Sequence, residues 1–597
     1  MVTPIENYAV IGDGRTCALI SRTGDVDWLC LPDLDSTASF AALLGGEQYG
    51  RWSVMIEGGE ITSRSYIKAT FILVTEYQGP EGTARITEWM PVDGERNDVI
   101  RRVECTSGYV TVTQDLRVRF GYGRIVPWAS RTADPQNQRV LRFVAGPDSL
   151  TLHAPSLPEG HDRKHENRQR LSQGERIDLT LTWSKSWDPV PTMIDVDASF
   201  ENTRESWQNW CASGELDKLY DSHVRRSLLT LRLLTNFETG GIAAAATTSL
   251  PEEFGGVRNW DYRFCWLRDS ALTLHALLTY GFVEEAQAWR DWLLRAVAGD
   301  PHDLQIMYGI DGGRYLPEYE LPHLPGYAGS RPVRVGNAAS EQVQHDVYGE
   351  VLGALAAARD NGIVETADSW SLQAHLVNGV AKEWREPDHG IWEIRGEKRH
   401  FTQSKVMSWV ALDRAISALE RYDLPGPHDE WATAREEIRS EVLSRGVDPV
   451  SNAFVQHYDT TEVDASLLMI LQTGFLPPSD DRVRNTVARI RDELSDGPHV
   501  MRYRTETGVD GLPGKEHHFF ACSFWLVDAL TQIGELQEAK SRFDALIATG
   551  NELGLFAEEY DVQEQRFAGN FPQALSHLAL VRAAHALDTA EPATTEP

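Results

Sequence analysis

Two short acidic stretches, about 165 residues apart, carry residue types that could cleave an acetal: Gly390-Ile391-Trp392-Glu393 and Leu555-Phe556-Ala557-Glu558-Glu559-Tyr560-Asp561. Each sets a carboxyl beside an aromatic ring. Breaking the bond between two sugars takes one carboxylic acid to protonate the leaving oxygen and a second carboxylate that activates water or attacks the sugar. Aromatic neighbours suit both tasks, because apolar surroundings raise the pKa of the acid and sugars lay their apolar faces on aromatic rings. The chain has 88 Asp and Glu, so most carboxylates are solvated surface groups and the pair alone is weak evidence.

Three further clusters keep it company. Arg258-Asn259-Trp260-Asp261-Tyr262-Arg263-Phe264-Cys265-Trp266-Leu267-Arg268-Asp269 opens a helical pattern. Arg268 and Asp269 side by side offer a donor fork and an acceptor pair to sugar hydroxyls; a structural ion pair at a helix start is the competing reading. Gln342-Val343-Gln344-His345-Asp346-Val347-Tyr348-Gly349-Glu350 also opens a helix, where Asp346 or Gln344 could simply be an N-cap. Met501-Arg502-Tyr503 precedes another.

Positioning these stretches requires a large scaffold, and 597 residues are too many for one core. Over residues 1–198 short alternating runs such as Val26 to Leu31, Ala84 to Trp89 and Arg176 to Trp183 are punctuated by Gly, Pro, Asp and Asn, which predicts an antiparallel β-sandwich. Residues 199–216 read as a linking helix. Over 217–587 twelve helical patterns follow, near 217–235, 267–280, 283–297, 342–360, 366–384, 402–422, 427–445, 464–473, 479–494, 519–533, 535–549 and 571–587. Six helical hairpins close most simply into an (α/α)6 barrel, whose loops at one rim converge on one pocket. Residues 588–597, small, acidic and Pro-containing, are expected to be a disordered tail.

A formal charge of -31 repels nucleic acid and anionic lipid and favours a neutral substrate. No run of about 18 apolar residues offers a membrane span. The start, Met1 to Asn7, lacks the basic and apolar regions of a secretory signal, so the expected compartment is the cytoplasm. Six scattered cysteines without C-x-x-C spacing suggest neither a zinc cluster nor a redox pair. No cofactor and no metal are expected. The 18 Trp and 18 Tyr suit a carbohydrate cleft or a large core equally. Residue patterns leave oligomeric state open.

The order Trp266-x-Arg268-Asp269, Gln344-His345-Asp346, Gly390-Ile391-Trp392-Glu393, Arg502-Tyr503 and Ala557-Glu558-Glu559-Tyr560-Asp561 resembles family 15 of the glycoside hydrolases, the glucoamylases and their bacterial relatives. The resemblance extends over essentially the whole chain, including Asn7 to Asp13 and Val26 to Pro32. Ser330 to Asn337 and His400 to Lys405 resemble the actinobacterial trehalase branch in particular. It implies an (α/α)6 barrel and hydrolysis with inversion, releasing β-glucose from the non-reducing end of α-glucosides. Position by position it implies Glu393 as general acid and Glu558 as general base. Arg268 and Asp269 would grip the non-reducing glucose, with Tyr262, Trp266 and Trp392 as aromatics around it, Arg502 near two subsites, and Gln344 and Asp346 lining the same pocket. Inversion asks for carboxyl groups roughly 6.5–9.5 Å apart, leaving room for water.

One departure from that family's pattern is Ile394, where fungal glucoamylases often carry a second glutamate; a polar contact to a long glucan is thereby absent. Glu559 is an adjacent alternative to Glu558. The expected activity is an inverting exo-acting α-glucosidase on trehalose or short α-glucans, with a glucoamylase or isomaltose-type glucohydrolase as the alternative. Of other classes, a glycoside phosphorylase shares the architecture but puts a phosphate site in place of the base, which Glu558 disfavours, and a non-catalytic sugar binder would not need both acids. No motif marks the leaving-group side; Gly309 to Gly336, rich in Gly, Pro and Tyr, is expected to form part of it.

Overall fold

The computed structural model describes residues 2–92, 96–216, 219–298 and 304–590. The N-terminal part is antiparallel β throughout, and one long strand, Asn97–Arg117, ties its sheets together. The first half of that strand pairs with Gly82–Trp89 and Arg176–Lys185, the second with Arg51–Ile56 and Lys164–Ser172. The crossover falls at Gly108, which has φ +61° and lies so close to the neighbouring strand that a Cβ would sit 2.2 Å from the Glu81 carbonyl oxygen. Only glycine meets both demands at no steric cost.

A helix α1, Val196–Ala212, follows, its N-terminus capped by the Asp195 carboxylate accepting from the Ala198 N–H. It begins three residues before the linker helix expected from sequence. Its Trp207 packs edge-on to Phe71 of the β part and Phe237 of the helical part.

Twelve more helices are present among the described residues, one for each pattern read from the sequence. They are α2 Asp221–Leu233, α3 Leu267–Thr279, α4 Val283–Ala296, α5 Asp346–Asp360, α6 Ala367–Glu383, α7 Thr402–Tyr422, α8 His428–Arg445, α9 Ile470–Thr473, α10 Asp481–Leu494, α11 Phe520–Gln532, α12 Leu536–Ile547 and α13 Ala574–Ala590. The pattern near 464–473 resolves into a 3-10 turn, Ala465–Met469, leading into the short α9, which Gly474 ends in the left-handed region. Of the expected tail, 588–590 complete α13 and 591–597 lie outside the described residues.

Burial sorts these helices into two layers. Every residue of α11 from Phe520 to Thr531 is buried, whereas α10 buries only Val483, Thr486, Val487, Ile490 and Leu494, a single 3–4-spaced stripe. Helices α3, α5, α7, the 3-10/α9 segment, α11 and α13 pack in a closed ring, with α13 returning onto α3, and α2, α4, α6, α8, α10 and α12 lie outside it. This is the (α/α)6 barrel. No helix of the described residues is long and apolar enough to cross a membrane.

The β part is tied to the barrel by Arg263, which is fully buried. Its guanidinium pairs with Asp261 (2.7 Å) and donates to the Ser36 carbonyl (2.7 Å) and the Tyr122 hydroxyl (2.8 Å) of the β part. Asp261 in turn accepts from the Gly336 N–H. Arg263→Met should therefore strand a buried carboxylate and cost roughly 3–5 kcal/mol, read as a lower urea midpoint. An unchanged midpoint would show that the strut does not hold the two parts together.

Candidate active site

Because the six inner helices run parallel in a ring, their N-termini emerge at one end. The loops leading into them bring Glu252 to Trp266, Gly390 to Arg395, Arg502 to Phe519 and Leu555 to Gln573 together. They form a cleft of about 770 Å³, its open mouth included. Its walls include Tyr262, Trp266, Arg268, Asp269, Trp392 and Glu393, together with Arg502.

Glu393 sits in a strained backbone conformation, φ +57°, which a non-glycine residue adopts only when its surroundings impose it. The Trp266 indole N–H donates to its Oε1 at 2.6 Å, and Arg268 Nη2 lies 3.6 Å from the same oxygen. The side chain is 17% exposed, open to the cleft alone. Burial pushes its carboxyl above the ordinary glutamate range, against the pull of Arg268 and with the help of the Asp269 charge, while the Trp266 hydrogen bond favours the charged form. Arg268 is held by Asp269 Oδ2 (2.9 Å) and by the Ile391 carbonyl (2.8 Å). The Trp392 indole N–H donates to Asp464 (2.9 Å), so its ring is fixed in the wall.

Glu558 lies behind Tyr262 rather than on the cleft surface, and is 1% exposed. Its Oε2 accepts from the Asn570 N–H at 3.2 Å, and its Oε1 is buried with no hydrogen-bond partner among the described residues. Burial raises its pKa, the Glu252 carboxylate adds to the rise, and Arg502, the Asn570 amide and the Tyr262 hydroxyl oppose it. Gly569, at φ +72°, leaves room for it: a Cβ there would come within 2.5 Å of Glu558 Oε2.

Glu558 and Glu559 are told apart by the strand Glu559–Asp561, in which successive side chains face opposite ways. Glu559 accepts from the His517 N–H (2.9 Å) and joins Glu252 and Glu516, whose carboxylate oxygens converge within 4.8 Å of one another. Such a trio could share a cation, but Arg502 Nη2 lies 2.7 Å from Glu516, 3.1 Å from Glu252 and 3.7 Å from Glu559. The guanidinium thus supplies the positive charge there. Arg258, 2.5 Å from Asp510, adds a second.

Gln344 and Asp346 do not reach the cleft wall. Asp346 is fully buried at the first turn of α5, beneath Arg268, and neither oxygen caps the helix. Burial raises its pKa to about 7 despite Arg268. Gln344 hydrogen-bonds Gln342, and it is Gln342 that holds the acid's loop, donating to the Glu393 carbonyl (3.1 Å) and the Ile394 carbonyl (3.0 Å). A buried helix start and an alternating loop put these side chains on faces that motif order cannot distinguish. The segment Gly309 to Gly336 likewise stands one layer back, through Glu318 and Arg334, and only Asn337 just beyond it lines the cleft. Sequence reasoning missed Glu252, which follows Pro251 without any motif, and Trp260, which was within a quoted motif but had no assigned task.

A barrel of paired helices joined to a β domain, with one glutamate in an aromatic cleft and a second behind its wall where the inner helices begin, is the build of a glycoside hydrolase. Residues 218–585 match the model for glycosyl hydrolases family 15, and residues 1–160 that of the trehalase-like N-terminal domain. The chain belongs to glycosyl hydrolase family 15. It is 38% identical to a protein named trehalase from Mycobacterium tuberculosis, over 97% of this chain and 89% of that one. The trehalase of Mycolicibacterium smegmatis is also 38% identical, over 97% and 90%. A bacterial glucoamylase solved in complex with acarbose shares the fold, with TM-score 0.73 and 11% identity over 98% of this chain and 94% of that one.

Gly569→Ala should displace the Glu558 carboxyl and lower kcat at least about tenfold, with the far-UV circular dichroism unchanged. Full activity in that variant would mean that the position of Glu558 is immaterial.

Proposed function

We propose that the protein hydrolyses α,α-trehalose with inversion at one anomeric carbon, Glu393 acting as general acid and Glu558 as general base. The observation that carries this reading is the arrangement of the two carboxyls about one ring pair. Trp266 binds Glu393, Tyr262 lies against Glu558, and the two rings meet edge to face with centroids 5.3 Å apart. Acids held by different rings can act from opposite faces of one sugar with a water beside the base, as inversion needs. The partnerless Oε1 of Glu558 is the acceptor for that water. Six curated relatives named trehalase, each aligning over 96–98% of this chain, support the substrate.

In this mechanism Arg268 and Asp269 hold the hydroxyls of the glucose that is attacked. Trp266 and Trp392 border its ring. Glu393 donates its proton to the bridging oxygen as the bond stretches towards an oxocarbenium-like state, and Glu558 takes a proton from water attacking the opposite face. Gln344 and Asp346 act through the loops and Arg268 rather than on the sugar. Arg502 stabilises the carboxylates behind the cleft and presents its remaining surface to the substrate. No cofactor enters any step. We place the enzyme in the cytoplasm, where its six buried, unpaired cysteines are stable as thiols.

Proton NMR of the protein with trehalose in phosphate-free buffer should record one α- and one β-glucose per turnover. Trehalose left intact until phosphate is added, with a glucose phosphate then appearing, would replace hydrolysis by phosphorolysis. Glu558→Gln should lower kcat by about 10²–10⁴-fold on every substrate, whereas Glu393→Gln should spare substrates with good leaving groups. Both carboxyls are shifted upward, so the pH profile of kcat/KM has two displaced limbs. Activity is lost wherever Glu558, lifted to about 8, gains its proton and wherever Glu393 loses its own. Both limbs should lie above the free glutamate value of about 4.3. Trp266→Phe removes a hydrogen bond that favours ionised Glu393 and should move the alkaline limb further up; a downward move would contradict the assignment of the acid.

A further inference from the structure

The loop Ile391 to Arg395 has the acid at its centre and an arginine at each end. Arg268 binds the Ile391 carbonyl, two residues before Glu393. Arg395 follows two residues after, so its Cα lies within about 7 Å of that of Glu393, and it lines the same cleft. In the proposed mechanism Arg268 holds the glucose that is attacked. The leaving sugar must then lie beyond the acid's proton, in the cleft that Arg395 also lines.

Arg395 is built into place. Its backbone N–H donates to the Asp510 carbonyl at 2.8 Å, and the following turn approaches the 509–511 segment so closely that a Cβ on Gly511 would meet the Gly396 nitrogen at 2.8 Å. Its Nη2 is anchored to Glu318 Oε2 at 2.8 Å, and its guanidinium lies 4.8 Å from the centre of the Trp260 ring. Trp260 is fixed in turn by its indole N–H on Glu252 (3.1 Å) and by Arg334 against the same ring at 4.5 Å. The Glu318 bond takes one of five guanidinium donors, and the side chain keeps 25% exposure at the cleft. A rigid fork with most of its donors outside that bond is suited to a neutral partner rich in oxygen acceptors.

We propose that Arg395 determines leaving-group specificity by donating hydrogen bonds to the departing glucose. The inference rests on the hydrolytic reading above. In trehalose the departing glucose is joined through its own anomeric carbon, so a ring ether oxygen and a 2-hydroxyl flank the scissile oxygen. A planar fork can span that acceptor pair, and a point charge cannot. The residue also follows Ile394, whose side chain offers no polar atom, so the polar contact to the leaving sugar comes from the next position along.

The test compares trehalose with α-glucosyl fluoride, whose leaving group occupies no sugar subsite. Arg395→Ala should lower kcat/KM for trehalose about 10- to 100-fold, the range for a lost hydrogen bond to a charged group, while fluoride turnover stays within about threefold of wild type. Arg395→Lys, which keeps the charge and loses the fork, should show the same selective loss. Glu318→Gln, which frees the anchored side chain, should show a smaller loss in the same direction. Equal losses on both substrates, or none on trehalose, would overturn the proposal. Should Arg395→Ala fail to fold, the Lys and Glu318→Gln variants decide by the same criterion. Wild-type protein that hydrolyses maltose and leaves trehalose intact would sink the trehalose reading instead, and the maltose-to-fluoride ratio of the variants would then judge Arg395 independently.

Discussion

Helices that are apolar on every side have to be covered on every side, and the rest of this structure depends on that constraint. The continuous burial of Phe520 to Thr531 can be met only by neighbours on all flanks, which a ring inside a second ring provides. Each inner helix but the last is followed by an outer one that returns the chain, so the inner helices run parallel. Parallel helices start at the same end, so loops far apart in the chain share one rim. Residues as distant as Trp266, Glu393 and Glu558 are thus brought to one rim by the packing of the helices they precede.

The rim concentrates charge in a poorly hydrated place. Glu252, Glu516 and Glu559 crowd around Arg502, and Arg258 pairs with Asp510. Leaving any of these groups unpaired would cost several kcal/mol, so each guanidinium is surrounded by acceptors. Burial raises the pKa of Glu558 and the Glu252 charge adds to the rise, while Arg502 pulls against it. Glu393, by contrast, is poised between the attraction of Arg268 and the repulsion of Asp269. Two glutamates at one rim therefore meet different electrostatic surroundings.

The β domain takes part without lining the cleft. Arg263, one residue beyond Tyr262, reaches into carbonyls of the β part, while Asp261 on its other side holds the Gly336 N–H. The loop that carries Tyr262, Trp266, Arg268 and Asp269 is consequently clamped by the β domain on one side and by the barrel's own Gly336 segment on the other. Rigid clamping of this kind keeps donors aimed where charge will develop, which is worth more than adding donors on a mobile loop.

Periodicity and local chemistry made much of this legible beforehand. Twelve helical patterns became helices because hydrophobic spacing and punctuating Gly and Pro are local properties, and the order of short motifs, through the resemblance it carries, pointed to Glu393, Glu558, Arg268 and Asp269 as candidates. Adjacent residues were another matter. Glu558 and Glu559, or Gln342 and Gln344, differ only in which face of a strand or loop they occupy, and that follows from pairing with segments such as 518–519 and 566–568. The same holds for Glu252, Trp260 and Arg395, which no motif singles out. They matter because chain segments separated by tens to hundreds of residues meet around them. The sequence by itself determined the elements and the kind of chemistry, since both reside in residue types and short spacings; tertiary structure alone decided which side chains face the cleft and what charge each one feels, because those depend on long-range contacts that local patterns do not encode.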